Sequence, residues 1–223
     1  MVTQPSSYRT LASFSRISLL YHLQKRGTMT VTDLASVTGL HPNTVREHLQ
    51  RLIDENYVTC EPEARDIKGR PRMMYSAVDG IDHLDDTKHE AQVAIAELRA
   101  QQTRMMLPIR EISQTREQRQ LDVLEDHLDQ SGYDWDIDDE ARHVHLHQCP
   151  FADMVREHPE VCGVHFKILR SLLNQTSGPL AVERLHPFSG FDTCTVDIAH
   201  TPPVINDGTL DLEPSIIHGV SVL

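Results

Sequence analysis

Apolar residues recur at every third position from Leu11 through Phe14, Ile17 and Leu20 to Leu23, the spacing of one helix face, and Gly27 ends the run. Two further helices follow closely in "TMTVTDLASVTGLHPNTVREHLQRLIDENYV". Thr30 with Asp33 reads as a capping box opening the first, and Gly39 breaks it. Pro42 suits the first turn of the second, whose buried stripe is Val45, Leu49, Leu52 and Ile53. The pattern then predicts two strands, Tyr57–Glu61 and Arg72–Val78, joined by a turn carrying Arg65, Lys68, Arg70 and Arg72 around Gly69 and Pro71. Residues 84–107 return to helical spacing through Leu84, Ala91, Ile95, Leu98 and Met105; Pro108 interrupts, and Leu121, Leu124 and Leu128 continue to Gly132. Tyr133–Ile137 and Arg142–Gln148 predict a hairpin, in which Val144 and Leu146 alternate with His143, His145 and His147 as a half-buried strand with a solvated histidine face. His158-Pro159 opens a helix with Val161, Val164, Ile168, Leu169, Leu172 and Leu173 inward. Two last strands flank a turn at Ser189-Gly190, with Cys194, Val196 and Ile198 on one face.

The element order predicts an α+β chain: a winged helix-turn-helix over 10–80, a helical connector and dimerisation region over 81–131, a cysteine-containing α+β sensor domain over 132–200, and a tail over 201–223. Two helices across a glycine turn also describe an ordinary helical hairpin. A basic strand pair directly after them is what a winged helix needs to grip backbone and minor groove, and it selects the DNA-binding reading. Double-stranded operator DNA is then the expected partner. Pro42, Asn43, Thr44 and Arg46 sit at the start of the helix that enters the major groove. Arg46 suits guanine and Asn43 adenine, with phosphate as the alternative for either, and Thr44 suits phosphate. Lys68, Arg70 and Arg72 in the wing neutralise phosphates or probe the minor groove. His48 and Gln50 rank lower. The connector either packs on its own domain or forms a dimer seam; a single winged helix contacts too few base pairs for an operator, so a homodimer is expected.

Charge sharpens this division. The net charge of the 223 residues is −12, yet residues 1–78 hold ten Lys/Arg against seven Asp/Glu and the rest eleven against 26, so only the first part suits a polyanion. No apolar run reaches the roughly 18 residues of a membrane span, and the N-terminus lacks a secretory layout. Four cysteines are too few for a stapled secreted scaffold, which points to a reducing cytoplasm and no membrane partner. No nucleophile–base arrangement, P-loop or glycine-rich nucleotide fingerprint is present, so no enzyme is expected; an enzyme or small-molecule-binding domain behind the winged helix stays the alternative of another class.

Cys60, in the first wing strand, reads as a small buried hydrophobe. The other three arise from a strand end (Cys149), a helix start (Cys162) and an inward strand position (Cys194). Thiolates favour zinc or iron–sulfur clusters. Zinc takes four ligands, which Cys149, Cys162, Cys194 and His165 would supply, His165 lying one turn from Cys162. A metal-free thiol–disulfide pair of Cys149 and Cys162 is the other option. The stretches "GLHPNTVREHLQRL", "GRPRMMY", "CPF", "HPEVCGVHFKILRSLL" and "CTVDI" together resemble the SufR-like iron–sulfur regulators over about residues 10–198. That resemblance implies a repressor of iron–sulfur assembly genes whose DNA affinity follows a [4Fe–4S] cluster. The cluster would be held by a Cys-x12-Cys pair and a later cysteine, matched by Cys149, Cys162 and Cys194. Some members carry a fourth cysteine between the second and last; this chain has none there, and His165, then His186, are the candidates for that place.

Overall fold

The computed structural model describes residues 6–64, 71–78, 86–106, 115–138, 142–190 and 193–200. The expected first helix is two: α1 (Ser6–Leu11) and α2 (Phe14–Arg26), with Ser13 extended between them as the N-cap of α2. The apolar spacing runs through this break because Leu11 and Ile17 are both buried from different helices, while Phe14 turns outward and stacks on His158 with ring centroids 3.7 Å apart. The guanidinium of Arg16 donates to the carbonyls of Arg9 and Thr10, closing the C-terminal end of α1. Arg16 therefore belongs to the interior rather than to the charge that faces DNA.

The capping box at Thr30 and Asp33 starts α3 (Val31–Thr38), and Gly39 ends it in the left-handed conformation at φ 71°. Pro42 opens α4 (Pro42–Asp54), whose Val45, Leu49 and Leu52 are buried. Strands β1 (Val58–Pro62) and β2 (Met73–Ala77) pair antiparallel, and Met29 adds an antiparallel bridge to Tyr75. That bridge ties the segment before α3 to the wing. Cys60 is half-buried opposite Tyr75, less enclosed than the expected core position, because β1 and β2 have little covering their outer face.

Helices α5 (Asp86–Met106) and α6 (Arg116–Ser131) pack together, joined by Arg99 to Asp126 at 2.7 Å. Gly132 ends α6 at φ 77°. A four-stranded antiparallel sheet follows, in the order β3 (Asp134–Ile137), β4 (His143–His147), β6 (Thr193–Ala199), β5 (Ala181–Gly190). β5 runs through Ser189 and Gly190, and Gly190 pairs with Thr193, so the residues expected to form the turn belong to the strand. Val144, Leu146, Cys194, Val196 and Ile198 form its buried face. Between β4 and β5 lie α7 (Ala152–Glu157) and α8 (Glu160–Gln175).

α8 lies against β5, α6 and also α2 of the winged helix. Lys167 Nζ donates to the Gln24 carbonyl at 3.0 Å, so a continuous set of buried side chains runs from the DNA-binding half into the sheet domain. Gln120 of α6 fastens the far end of α8 by donating to the carbonyls of Leu173 and Leu180 and accepting from the Leu180 N–H. Among the described residues no helix is long and apolar enough to cross a membrane.

Candidate functional site

The first functional surface is the N-terminal half of α4. His41 caps it, its Nδ1 accepting from the Asn43 N–H at 3.2 Å, and Pro42 needs no acceptor there. With Val45, Leu49 and Leu52 held in the core, helix geometry turns Pro42, Asn43, Arg46, Glu47 and Gln50 outward. Thr44 is half-buried. Arg46 Nη1 donates to Asn43 Oδ1 at 2.8 Å, so the two groups with base-reading geometry are held side by side. Gln50, ranked low on sequence, shares this stripe. Arg72 is exposed at the base of the wing, where the Glu63 N–H donates to its carbonyl. Lys68 and Arg70, with Arg65, lie outside the described residues.

The second surface is internal. Cys149 follows β4, Cys162 lies in the first turn of α8 and Cys194 near the start of β6. Tyr133 and Cys194 belong to the core cluster against which Cys149 and Cys162 pack, close enough for the three cysteines to bear on the Tyr133 hydroxyl. Burial, followed by Cys194 and Cys149, pushes the Cys162 thiol up to about 12. Burial first, and then the same thiols, raise Tyr133 well above a phenol's ordinary value. Cys194 Sγ accepts from the Phe188 N–H at 3.5 Å. Non-glycine residues stand in left-handed backbone at both flanks, Gln148 at φ 48° and Phe188 at φ 53°, a costly conformation that aims Cys149 and the Phe188 donor.

His165, one turn beyond Cys162 on α8, points at Tyr133. Its Nδ1 lies 3.0 Å from the hydroxyl and its ring stacks on the phenol at 4.8 Å, 9° from parallel. Its Nε2 is buried without a hydrogen-bond partner. Burial, with His127 beside it, lowers His165 to about 3, so the ring is neutral. His186 stands on the opposite face of the sheet, paired with Asp197 at 2.7 Å, which removes it from the cysteines. The histidines of β4 face outward as expected, and His143 and His147 pair with Asp138 and Asp136. Sequence reading passed over Tyr133 as a strand residue; its signal was a polar-tipped aromatic directly after the glycine that ends α6.

Among the described residues no three His, Cys, Asp or Glu side chains stand as a single bound metal ion requires. The donor set nevertheless suits a larger centre. Cys194 is buried and Cys149 and Cys162 are half-buried; within one another's electrostatic reach the three repel as thiolates, and a cationic centre reverses that repulsion. An iron–sulfur cluster takes each thiolate on a different iron, so its ligands sit farther apart than those of one zinc ion.

Comparison with known proteins bears on the first surface. Residues 15–59 match the family described as winged helix-turn-helix DNA-binding. Residues 15–59 are therefore a winged helix-turn-helix of the DNA-binding type. Two solved structures are similar to parts of the chain. RV1404 from Mycobacterium tuberculosis shares 13% identity over 49% of this chain and 72% of its own, with a TM-score of 0.28. A MarR family transcriptional regulator from Silicibacter pomeroyi DSS shares 19% identity over 56% of this chain and 78% of its own, with a TM-score of 0.27. No curated protein matches the chain.

Proposed function

We propose that the protein is a homodimeric repressor whose operator affinity follows a [4Fe–4S] cluster held by Cys149, Cys162 and Cys194. The observation that carries this reading is that three cysteines, from a strand end, a helix start and a second strand, pack with Tyr133 in the core. Among the described residues the cysteines do not stand as one zinc ion requires, and a cluster, which takes each thiolate on a different iron, is the reading that suits them better. When bound, the cluster supplies an oxygen-sensitive and redox-active link between β4, α8 and β6.

The chain's own contacts carry the signal onward. Cys162 fixes the start of α8, and Lys167 on the same helix holds the Gln24 carbonyl of α2. A shift of α8 thus moves a helix of the DNA-binding half. A tenfold to hundredfold change in operator affinity needs only about 1.4–2.8 kcal/mol of coupling. Dimerisation runs through α5, where Ala91, Leu98 and Met105 repeat at seven-residue spacing beside Ala94 and Ile95, and Leu98 and Met105 are 55% and 76% exposed. The resemblance to the SufR-like regulators supplies the polarity and the targets: the cluster-loaded dimer represses iron–sulfur assembly genes.

The test compares binding of anaerobically reconstituted and chelator-treated protein to DNA from upstream of such genes. Reconstituted protein is expected to bind at least tenfold more tightly, and Arg46→Ala to abolish most of the binding in both forms. Equal affinities of the two forms would end the sensing idea and leave a regulator without it.

A further inference from the structure

On sequence Asn43 suits adenine; the contacts it makes in α4 point elsewhere. A side-chain amide reads adenine by accepting from N6 and donating to N7, with both of its polar atoms on one base edge. Here Asn43 Oδ1 already accepts from Arg46 Nη1 at 2.8 Å, so Arg46 supplies the donor that adenine N6 would bring. The two residues stand three apart, the spacing at which side chains of one helix meet. The backbone beneath them is fixed as well. His41 Nδ1 accepts from the Asn43 N–H at 3.2 Å, and Val45 and Leu49, on either side of Arg46, are buried. Those buried residues set the roll of the helix and keep Asn43 and Arg46 exposed.

The chemistry of the partner matters. A carboxylate would hold a guanidinium but cancel its charge, as Asp126 does for Arg99. A neutral amide holds it and leaves the whole positive charge for a polyanion. Arginine carries more N–H donors than the bond to Asn43 uses, so a parallel pair remains for O6 and N7 of guanine. Gln50, on the same stripe, is turned toward Asp54 instead, donating to it at 2.9 Å. An exposed arginine is otherwise free among many rotamers, and a partner that orders it beforehand removes part of the cost of ordering it on DNA. We propose that Asn43 is the positioning residue for Arg46: its Oδ1 aims the guanidinium at one guanine, and Asn43 itself reads no adenine. This is independent of any cluster and rests on the winged helix-turn-helix of residues 15–59.

The experiment uses full-length protein, in both its reconstituted and its chelator-treated form. Selection from a random DNA library defines the preferred half-site of the wild type, and Kd is then measured for every single-base change in it. Arg46→Lys keeps the charge without the planar fork, and should lose the preference for one guanine and so mark its position. Asn43→Ala should lower discrimination at that same guanine about two- to tenfold, the worth of one pre-ordered side chain, and leave the other positions as in wild type. Asn43→Asp keeps the acceptor but cancels charge, so it should bind every site more weakly while retaining the guanine discrimination. In the Arg46→Lys background, Asn43→Ala should change nothing further at that position. Asn43→Ala that spares the guanine overturns the proposal, whether or not a preference for adenine is lost instead, and so does additivity of the two substitutions. Wild type that selects no sequence in either form overturns the base-reading role of α4 itself, a result distinct from both.

Discussion

At the scale of single residues, the interior of the sheet domain is unusual in what it buries. His127 of α6 is fully enclosed and 5.9 Å from the ring of His165, and burial lowers it to about 4. In an unfolded chain the same imidazole titrates near its ordinary 6.5. Between those values the unfolded state binds the extra proton, so the stabilisation is whole above about 6.5 and is lost as pH falls toward 4. Lowering the pH from about 7.5 to about 5 should therefore cost the wild type roughly 2 kcal/mol more than His127→Gln, at about 1.36 kcal/mol per pKa unit. Urea midpoints at the two pH values check this, and equal losses in the two proteins would refute it. Some residue roles were legible beforehand: the Thr30–Asp33 box and Gly39 follow from short-range backbone chemistry. The packing of Tyr133 was not, because its ring stacks on His165, 32 positions further along the chain.

At the scale of elements, α5 is the least satisfied. Ala96 is buried against its neighbours, while Ile95, Leu98 and Met105 face outward. Arg99 with Asp126 and Arg119 with Glu97 hold it to α6, and Asn56 with Gln92 holds it to the end of α4. A helix secured on one side and apolar on the other suits a two-fold seam. Leu98→Glu should place like charges across that seam and shift the protein to monomer, with at least a tenfold loss of operator affinity. Sedimentation velocity reads the first effect, and a variant that stays dimeric moves the seam elsewhere. Helix lengths were legible because periodicity and the bounding Gly132 are local. The break between α1 and α2 was hidden because residues of two helices happen to keep one spacing into a shared core.

At the scale of the whole molecule, the two halves meet through α2 and α8. Lys167 Nζ donates to the Gln24 carbonyl at 3.0 Å, and Phe14 stacks on His158 just before α8 begins. Lys167→Met keeps the aliphatic stem and removes the donor. The variant should load its centre as wild type does, yet show a reduced ratio between loaded and unloaded operator affinities. Titrating both forms on one DNA fragment measures that ratio, and an unaltered value would place the transmission elsewhere. No pattern within a single element announced this contact, since the partners are separated by 143 positions. The sequence did mark each helix as amphipathic.

Because α8 carries Cys162 at one end and packs on α2, the DNA reader and the proposed sensor are not interchangeable cartridges. Grafting the sheet domain onto a foreign winged helix should yield a fusion that still takes up its inorganic partner but is deaf to it. Responsiveness would return only when the recipient's counterpart of α2 is recut to receive α8.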